Sequence, residues 1–154
     1  MKHLFIFLFV LGLGDGQSSP VQEVPAELSR LMAKARLDGP VAAWCRAEFR
    51  PGHPGAFAVA VTSSGGGGRY VALDADGRLT VLASFTDGAE LSCYTRSRAE
   101  ELDTTIKQSE TVEGHITPRW KTTVVCGFAD NTAAACWQYS PAERTFVKVG
   151  EWVT

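Results

Sequence analysis

Residues 120–139 read WKTTVVCGFADNTAAACWQY, and this stretch decides the fold. From Trp120 to Phe128, every second residue is apolar or a threonine, which is the pattern of a strand with one buried face. Asp130-Asn131 interrupts the run, and both residue types tolerate the backbone conformations of a tight hairpin turn. The stretch therefore predicts an antiparallel hairpin whose return strand runs from Ala133 to Ser140.

Two registers compete for this hairpin. A two-residue loop at Asp130-Asn131 places Val124 opposite Trp137 and gathers the aromatic side chains on one face. A slip by one residue places Cys126 opposite Cys136, within reach of a disulfide, and divides the aromatic side chains between the two faces. Burial of one large apolar side chain contributes about 1.5–3 kcal/mol, so the aromatic pattern favours the first register, while a disulfide would favour the second.

The composition fits one globular domain. The chain has 154 residues, of which 45% are hydrophobic and 21% are charged, and this is enough apolar material for a core. The formal net charge of -2 gives no bulk field that would attract nucleic acid or an anionic membrane. We therefore expect no nucleic-acid partner and no stable membrane insertion.

The N-terminus has the three-part layout of a secretory signal peptide. Met1-Lys2-His3 carries positive charge, an apolar run from Leu4 to Leu13 follows, and Gly14-Asp15-Gly16 offers small residues for cleavage. The apolar run is shorter than the roughly 20 residues of a membrane-spanning helix. We expect a secreted or periplasmic protein. The predicted segments are a signal peptide over 1–16, a flexible leader over 17–24 and one domain over 25–154.

The cysteines are consistent with export, because an oxidising compartment favours disulfides. Their even number predicts two disulfides with three possible connectivities. No C-x-x-C spacing occurs, so neither a redox motif nor a zinc knuckle is indicated. The four disulfide candidates are Cys45, Cys93, Cys126 and Cys136.

Helical and strand patterns alternate along the predicted domain. A helical stripe is formed by Leu28, Leu31, Met32 and Ala35, and a second helical pattern covers Ser97 to Gln108. Strand patterns fill the intervals, with Asp76-Gly77 as a strong two-residue turn signal. The order predicts an α+β fold in which an antiparallel β-sheet of about seven to nine strands, twisted or partly closed, carries two packed helices.

A weak internal similarity relates the two halves of the domain. At an offset of 66 positions, Ala58–Ala83 overlays Val124–Val149 without a gap, and Arg78 coincides with Arg144 directly after the turn in each half. Hairpins resemble one another in any protein, so a duplication stays an open alternative.

Three sequence features resemble functional motifs but lack an essential part. The glycine-rich stretch Ser63–Gly68 is followed by a strand pattern, whereas a phosphate loop precedes a helix. Asp74–Gly77 resembles the start of a calcium loop but lacks the later oxygen ligands. We interpret both as turns. The four tryptophans could stack on sugars, but core packing is the expected role for Trp44, Trp120, Trp137 and Trp152.

The polar site candidates are His53, Glu113 and His115. Glu113 and His115 would share one face of a strand, and a third ligand would be needed to bind a metal. His53 lies in a turn rich in proline and glycine, and no nucleophile motif accompanies it. The sequence therefore predicts no catalytic set, no metal site and no cofactor.

By elimination, the sequence favours a disulfide-stapled binding module for an unknown protein or small extracellular ligand. Such a module predicts an exposed apolar patch of several hundred Å². One alternative is a small extracytoplasmic hydrolase that uses His53 or His115, which predicts a histidine hydrogen-bonded to a carboxylate or hydroxyl in a cleft. Another alternative is a structural component of the cell envelope.

Overall fold

The computed structural model describes residues 23–86, 89–129 and 133–154. The predicted signal peptide, most of the leader and the Asp130-Asn131 turn lie outside these ranges. The helices in the described part are α1 (Ala26–Ala35) and α2 (Arg96–Gln108). The strands are β1 (Val41–Ala47), β2 (Ala56–Thr62), β3 (Gly68–Leu73), β4 (Leu79–Phe85), β5 (Leu91–Tyr94), β6 (Glu113–Ile116), β7 (Val124–Ala129), β8 (Ala133–Ser140) and β9 (Thr145–Val153).

The α+β class and the two helices agree with the prediction, but the strands form two sheets instead of one. The first sheet has the order β1-β2-β3-β4, and the second has the order β5-β7-β8-β9-β6. All neighbouring strands are antiparallel. Division into two packed sheets is a common outcome for many strands, because a long twisted sheet curls or splits.

Helix α1 covers the outer face of the first sheet. Its Leu28 and Met32 are buried, and they pack with Phe57, Val59 and Val71 of the sheet. The helical stripe predicted from the sequence is therefore the face that contacts the core. Helix α2 covers the outer face of the second sheet in the same way, and its buried residues there are Ala99 and Ile106.

The inner faces of the two sheets pack against each other. Ala58 and Ala72 of the first sheet share a buried cluster with Val125 and Tyr139 of the second. Small side chains on the first sheet leave room for the larger ones opposite. The molecule thus has four layers in the order helix, sheet, sheet, helix, and each sheet is covered on both faces.

The hairpin formed by β7 and β8 adopts the register that the aromatic pattern disfavoured. Cys126 lies opposite Cys136, and Val125 lies opposite Trp137, so the prediction that paired Val124 with Trp137 was wrong. The reason is the double cover of the second sheet, which buries side chains on both of its faces. Dividing the aromatic side chains between those faces therefore costs little burial.

Two disulfides link the four cysteines. Cys45 of β1 is bonded to Cys93 of β5, with 5.8 Å between their Cα atoms, and this bond joins the two sheets. Cys126 and Cys136 form the second disulfide across the β7–β8 hairpin, with 4.1 Å between their Cα atoms. The protein is therefore a small disulfide-stabilised domain. In the described ranges, no helix is both long enough and apolar enough to cross a membrane.

Candidate functional site: an arginine cleft

A cleft of about 450 Å³ opens at one end of the two packed sheets. We call it the arginine cleft, and its polar and aromatic lining consists of Arg50, His53, Arg78, Tyr139 and Arg144. Pro51 and Pro141 complete its wall. The loop that follows β1 and the β3–β4 turn supply four of these residues, and the second sheet with its β8–β9 turn supplies the other three.

Two corresponding turns bring Arg78 and Arg144 to this cleft. Arg78 directly precedes β4, and Arg144 directly precedes β9. Each turn is closed by a backbone hydrogen bond: Asp74 N–H donates to Arg78 O at 2.9 Å, and Arg144 N–H donates to Ser140 O at 2.8 Å. The sequence overlay at an offset of 66 positions therefore joins structurally equivalent strands, β2-β3-β4 and β7-β8-β9.

The equivalence does not extend to the remaining strand of each half. β1 lies beside β2 in the first sheet, whereas β6 lies beside β9 in the second. A duplication therefore remains a hypothesis for these three-stranded units only. Arg144 also adopts a left-handed backbone conformation, with φ of 54°, which is uncommon for residues other than glycine.

Arg50 is held at the base of the cleft by two aspartates of the β3–β4 turn. Its Nη2 atom lies 2.9 Å from Asp74 Oδ2 and 3.8 Å from Asp76 Oδ2. Asp74 is buried, and its Oδ1 atom accepts a hydrogen bond from Ala75 N–H at 2.9 Å. The carboxylates of this turn thus face a guanidinium group, which agrees with our interpretation of Asp74–Gly77 as a turn.

The charges of the turn are reflected in the pKa of Asp76. The hydrogen bond that Arg78 N–H donates to Asp76 lowers this pKa, and the nearby cations Arg50, Arg78 and Lys34 lower it further against a small opposing effect of burial. Asp76 is therefore ionised wherever the protein functions near neutral pH. Together with Asp74, it offsets part of the positive charge at the base of the cleft.

Arg78 and Arg144 themselves are exposed, and no carboxylate of the described residues lies within 4.0 Å of either guanidinium group. Tyr139 lines the same cleft, is 9% exposed, and its hydroxyl has no hydrogen-bond partner in the same ranges. The cleft is therefore lined by two guanidinium groups that form no ion pair in the described ranges and by one tyrosine whose hydroxyl is unpaired there. These are the groups that bind carboxylates and phosphates.

His53, a candidate from the sequence, lies at the exposed rim of this cleft. Its backbone N–H donates to Arg50 O at 3.1 Å, which fixes the turn next to the guanidinium group. Sequence reasoning did not single out Arg50, Arg78 or Arg144 as site residues. The coincidence of Arg78 with Arg144 in the internal overlay was the available signal.

One of the other two polar candidates, His115, lies at a separate groove of about 390 Å³. His115 lines it and is paired across the strands with Glu151, whereas Glu113 is paired with Val153 and does not line the groove. The hydrogen bond and the charge of Lys148 lower the pKa of Glu151, and His115 adds a smaller effect. Because Lys148 and Glu151 compensate each other, this groove offers less free charge than the arginine cleft.

The geometry that a hydrolase requires is not found at either histidine. Among residues 23–86, 89–129 and 133–154, no carboxylate or hydroxyl is hydrogen-bonded to the imidazole of His53 or His115. The same ranges contain no group of three His, Cys, Asp or Glu side chains that could hold a metal ion. Neither groove therefore supports the hydrolase alternative.

Exposed large hydrophobic residues are few in the part of the chain that the structure describes, whereas we expected an exposed apolar patch. In the described part of the chain, the exposed large hydrophobic residues are Val81 and Val153, at 46% and 52%. Trp137 and Trp152 are buried, and Trp44 and Trp120 pack at the edge of the core. The polar and charged groups of the described clefts are therefore the better supported candidates for recognition.

No protein-family model matches the sequence, and no curated protein or solved structure is detectably similar to it. The arrangement of the site is therefore the sole basis for a functional argument.

Proposed function

We propose that this protein is an exported, disulfide-stabilised binding module that holds an anionic ligand in the arginine cleft. One observation carries the proposal: Arg78 and Arg144 come from corresponding turns of the two sheets and line one cleft, with no carboxylate partner among the described residues. Two exposed guanidinium groups at one cleft raise the local positive potential, which attracts anions.

The chemistry of the lining favours a carboxylate or a phosphate. A guanidinium group is planar and offers several N–H donors in a geometry that matches two oxygens of such an anion. Tyr139, which lines the same cleft, adds a hydroxyl group that can donate a hydrogen bond. Arg50 is paired with Asp74 and Asp76, so the charge available to a ligand comes from Arg78 and Arg144.

Export is supported by two separate features. Residues 1–16 have the layout of a signal peptide, and all four cysteines form disulfides, which persist in oxidising compartments. The ligand would then be a protein or a small molecule that is present in the periplasm or outside the cell.

The proposal is tested by titrating the protein with citrate and, separately, with inorganic phosphate while recording backbone amide NMR shifts. We expect saturable shifts centred on the two turns before β4 and β9. The double variant R78A/R144A should weaken binding by at least about tenfold, because each charged hydrogen bond contributes about 1.5–3 kcal/mol. The matched control is R30A/R98A, which removes two exposed arginines from the helices and should leave binding unchanged.

Two outcomes would contradict the proposal. Equal weakening by R78A/R144A and R30A/R98A would mean that binding follows net charge and not the cleft. Absence of saturable shifts with either anion at low ionic strength would remove the arginine cleft as a binding site. A hydrolase would show turnover that depends on His53 or His115, and a structural envelope component would show no saturable binding.

Export is tested by the intact mass of the protein after alkylation without reduction. We expect a chain that begins near Gln17 and carries no alkylated thiol. A chain that begins at Met1 with four alkylated thiols would contradict both export and the disulfides.

A further inference from the structure

β4, one of the two outer strands of the first sheet, begins at the arginine cleft and has an open edge. β4 is paired with β3 on one side, and in the described part of the chain no other backbone hydrogen bond reaches its residues. Its sequence, LTVLASF, contains no charged residue and no proline. Val81 at its centre is 46% exposed, which makes it one of the two exposed large hydrophobic residues described above.

The other outer strands are protected in the ways that are usual for sheet edges. β1 lies against β5 and is joined to it by the Cys45–Cys93 disulfide. β5 and β6 have four residues each. β6 also carries the charged Glu113. β4 is longer, with seven residues, and its protection in the described part of the chain is a β-bulge between the residues opposite Tyr70 and Val71.

Arginine side chains that form no ion pair in the described ranges lie near both ends of β4, two at its beginning and one on the neighbouring strand β3. Arg78 and Arg144 line the cleft at the beginning of β4. At the other end, Arg69 of β3 lies opposite Ser84, is exposed, and forms no ion pair with the described residues. The distance between the two ends is about 20 Å, since strand residues are spaced by about 3.3 Å.

We propose that β4 accepts an extended acidic segment of a partner protein as an additional strand, an inference that rests on the proposed anion binding by the arginine cleft. Backbone groups of the segment pair with the open edge, which is a common mode of peptide recognition. Carboxylates near one end of the segment bind Arg78 and Arg144, and a carboxylate near the other end binds Arg69. A segment of about six residues spans these positions.

A second copy of this chain fits the edge less well than an acidic segment. Antiparallel pairing of two β4 strands would place Arg78 of each copy near Arg69 of the other. Parallel pairing would place the two Arg78 side chains next to each other. Like charges on adjacent strands are destabilising, whereas an acidic strand is complementary at both ends.

The test uses the full exported chain and three blocked peptides of equal length. The first peptide alternates valine with glutamate. The second has the same sequence with alternate backbone nitrogens methylated, so that it keeps its charge but cannot pair with a strand edge. The third carries lysine in place of glutamate. We expect the first peptide to bind at least about tenfold more tightly than the other two, since main-chain pairing and charge both contribute.

Substitutions at Val81 connect the binding to β4. V81E places a negative charge at the centre of the open edge and should weaken binding of the glutamate peptide by about tenfold. V81T is the matched control, because threonine has the same shape and suits a strand. Hydrogen exchange of β4 amides should slow on addition of the glutamate peptide. Unchanged unfolding transitions in urea would show that both variants keep the fold.

The outcomes separate this inference from the proposed function. Equal binding of the glutamate peptide and its methylated form, with loss in R78A/R144A, would retain the arginine cleft and overturn strand addition. Binding of citrate without binding of any peptide would also retain the arginine cleft and overturn strand addition. If neither citrate nor any of the peptides bound to the protein, both proposals would be overturned. Dimers of the chain without peptide, broken by V81E, would show that a second copy occupies the edge and would overturn the acidic segment.

Discussion

The aromatic ring of Tyr70 occupies the space that a side chain at Gly127 would need. A Cβ atom on Gly127 would lie 2.8 Å from Tyr70 Cδ2 and 2.8 Å from Tyr70 Cε2. Tyr70 belongs to β3 and Gly127 to β7, so this contact sets how closely the two sheets approach. The hydroxyl of Tyr70 also donates a hydrogen bond to the backbone oxygen of Phe128, which fixes the sheets relative to each other.

We expect G127A to lower the free energy of unfolding by about 1–3 kcal/mol, as overpacking of a close-packed core does. The matched control is G65A, because a Cβ at Gly65 meets no atom within 4 Å. Urea denaturation of both variants measures the difference. If G127A and G65A were equally stable, the two sheets would not be in tight contact at Tyr70.

The pH dependence of the free energy of unfolding should report the raised pKa of Tyr70. Burial, as the largest effect, raises the pKa of Tyr70 to about 12, whereas an unfolded tyrosine has a pKa near 10. The unfolded chain therefore loses this proton first. The stabilising contribution is complete below about pH 10 and is lost progressively as the pH rises to about 12.

The measurement is urea denaturation of the wild type and of Y70F at several alkaline pH values. The difference in unfolding free energy between the two should shrink by up to about 2–3 kcal/mol over this interval, because one pKa unit corresponds to about 1.4 kcal/mol. Phenylalanine cannot titrate, so Y70F corrects for every other group. A constant difference would mean that the hydroxyl of Tyr70 is open to solvent.

The two disulfides should stabilise the fold by different amounts. Their cysteines are separated by 48 residues for Cys45–Cys93 and by 10 for Cys126–Cys136. Because a bond that closes a longer loop removes more entropy from the unfolded chain, we expect contributions of about 4 and about 3 kcal/mol. Each contribution is the effect of a reductant on the variant that retains only that bond. A larger effect in C45A/C93A than in C126A/C136A would contradict this order.

The β7–β8 hairpin shows what periodicity can and cannot predict. The existence of the hairpin followed from alternation and turn residues, and the stripe on α1 followed from helical spacing. The register of the hairpin could not be predicted in this way, because both of its faces are buried. A slip by one residue exchanges one buried face for the other. Cys126 and Cys136 carried the missing information, since they can bond only in the register that is present.

The arginine cleft was less accessible to sequence reasoning than the fold. Arg78 and Arg144 are 66 positions apart in the sequence and belong to turns of different sheets. A single exposed arginine after a turn is an ordinary feature of a sequence. Their meeting depends on how the two sheets pack, which in turn depends on contacts such as that between Tyr70 and Gly127. His53 was identified as a candidate, but its arginine neighbours give the site its character.

The segment before β7 also differs from the prediction and has an identifiable cause. The strand begins at Val124, not at Trp120, because the side chain of Gln138 binds the backbone of the preceding residues. Its Oε1 atom accepts from Arg119 N–H at 2.8 Å, and its Nε2 atom donates to the carbonyl oxygens of Trp120 and Thr122 at 3.1 and 3.0 Å. The backbone groups that a longer strand would pair are thereby satisfied.

Q138L should therefore destabilise the protein by about 2–4 kcal/mol, because Gln138 is fully buried and its loss leaves several backbone groups without a partner. The same substitution at the exposed Gln108 is the control and should change stability by less than about 0.5 kcal/mol. Hydrogen exchange at Arg119 N–H measures the local effect, and urea denaturation measures the global one. Q138E should cost more than Q138L, since it places a buried carboxylate, which cannot donate a hydrogen bond, against the two carbonyl oxygens. If Q138E were as stable as the wild type, the amide of Gln138 would not be what holds this segment in place.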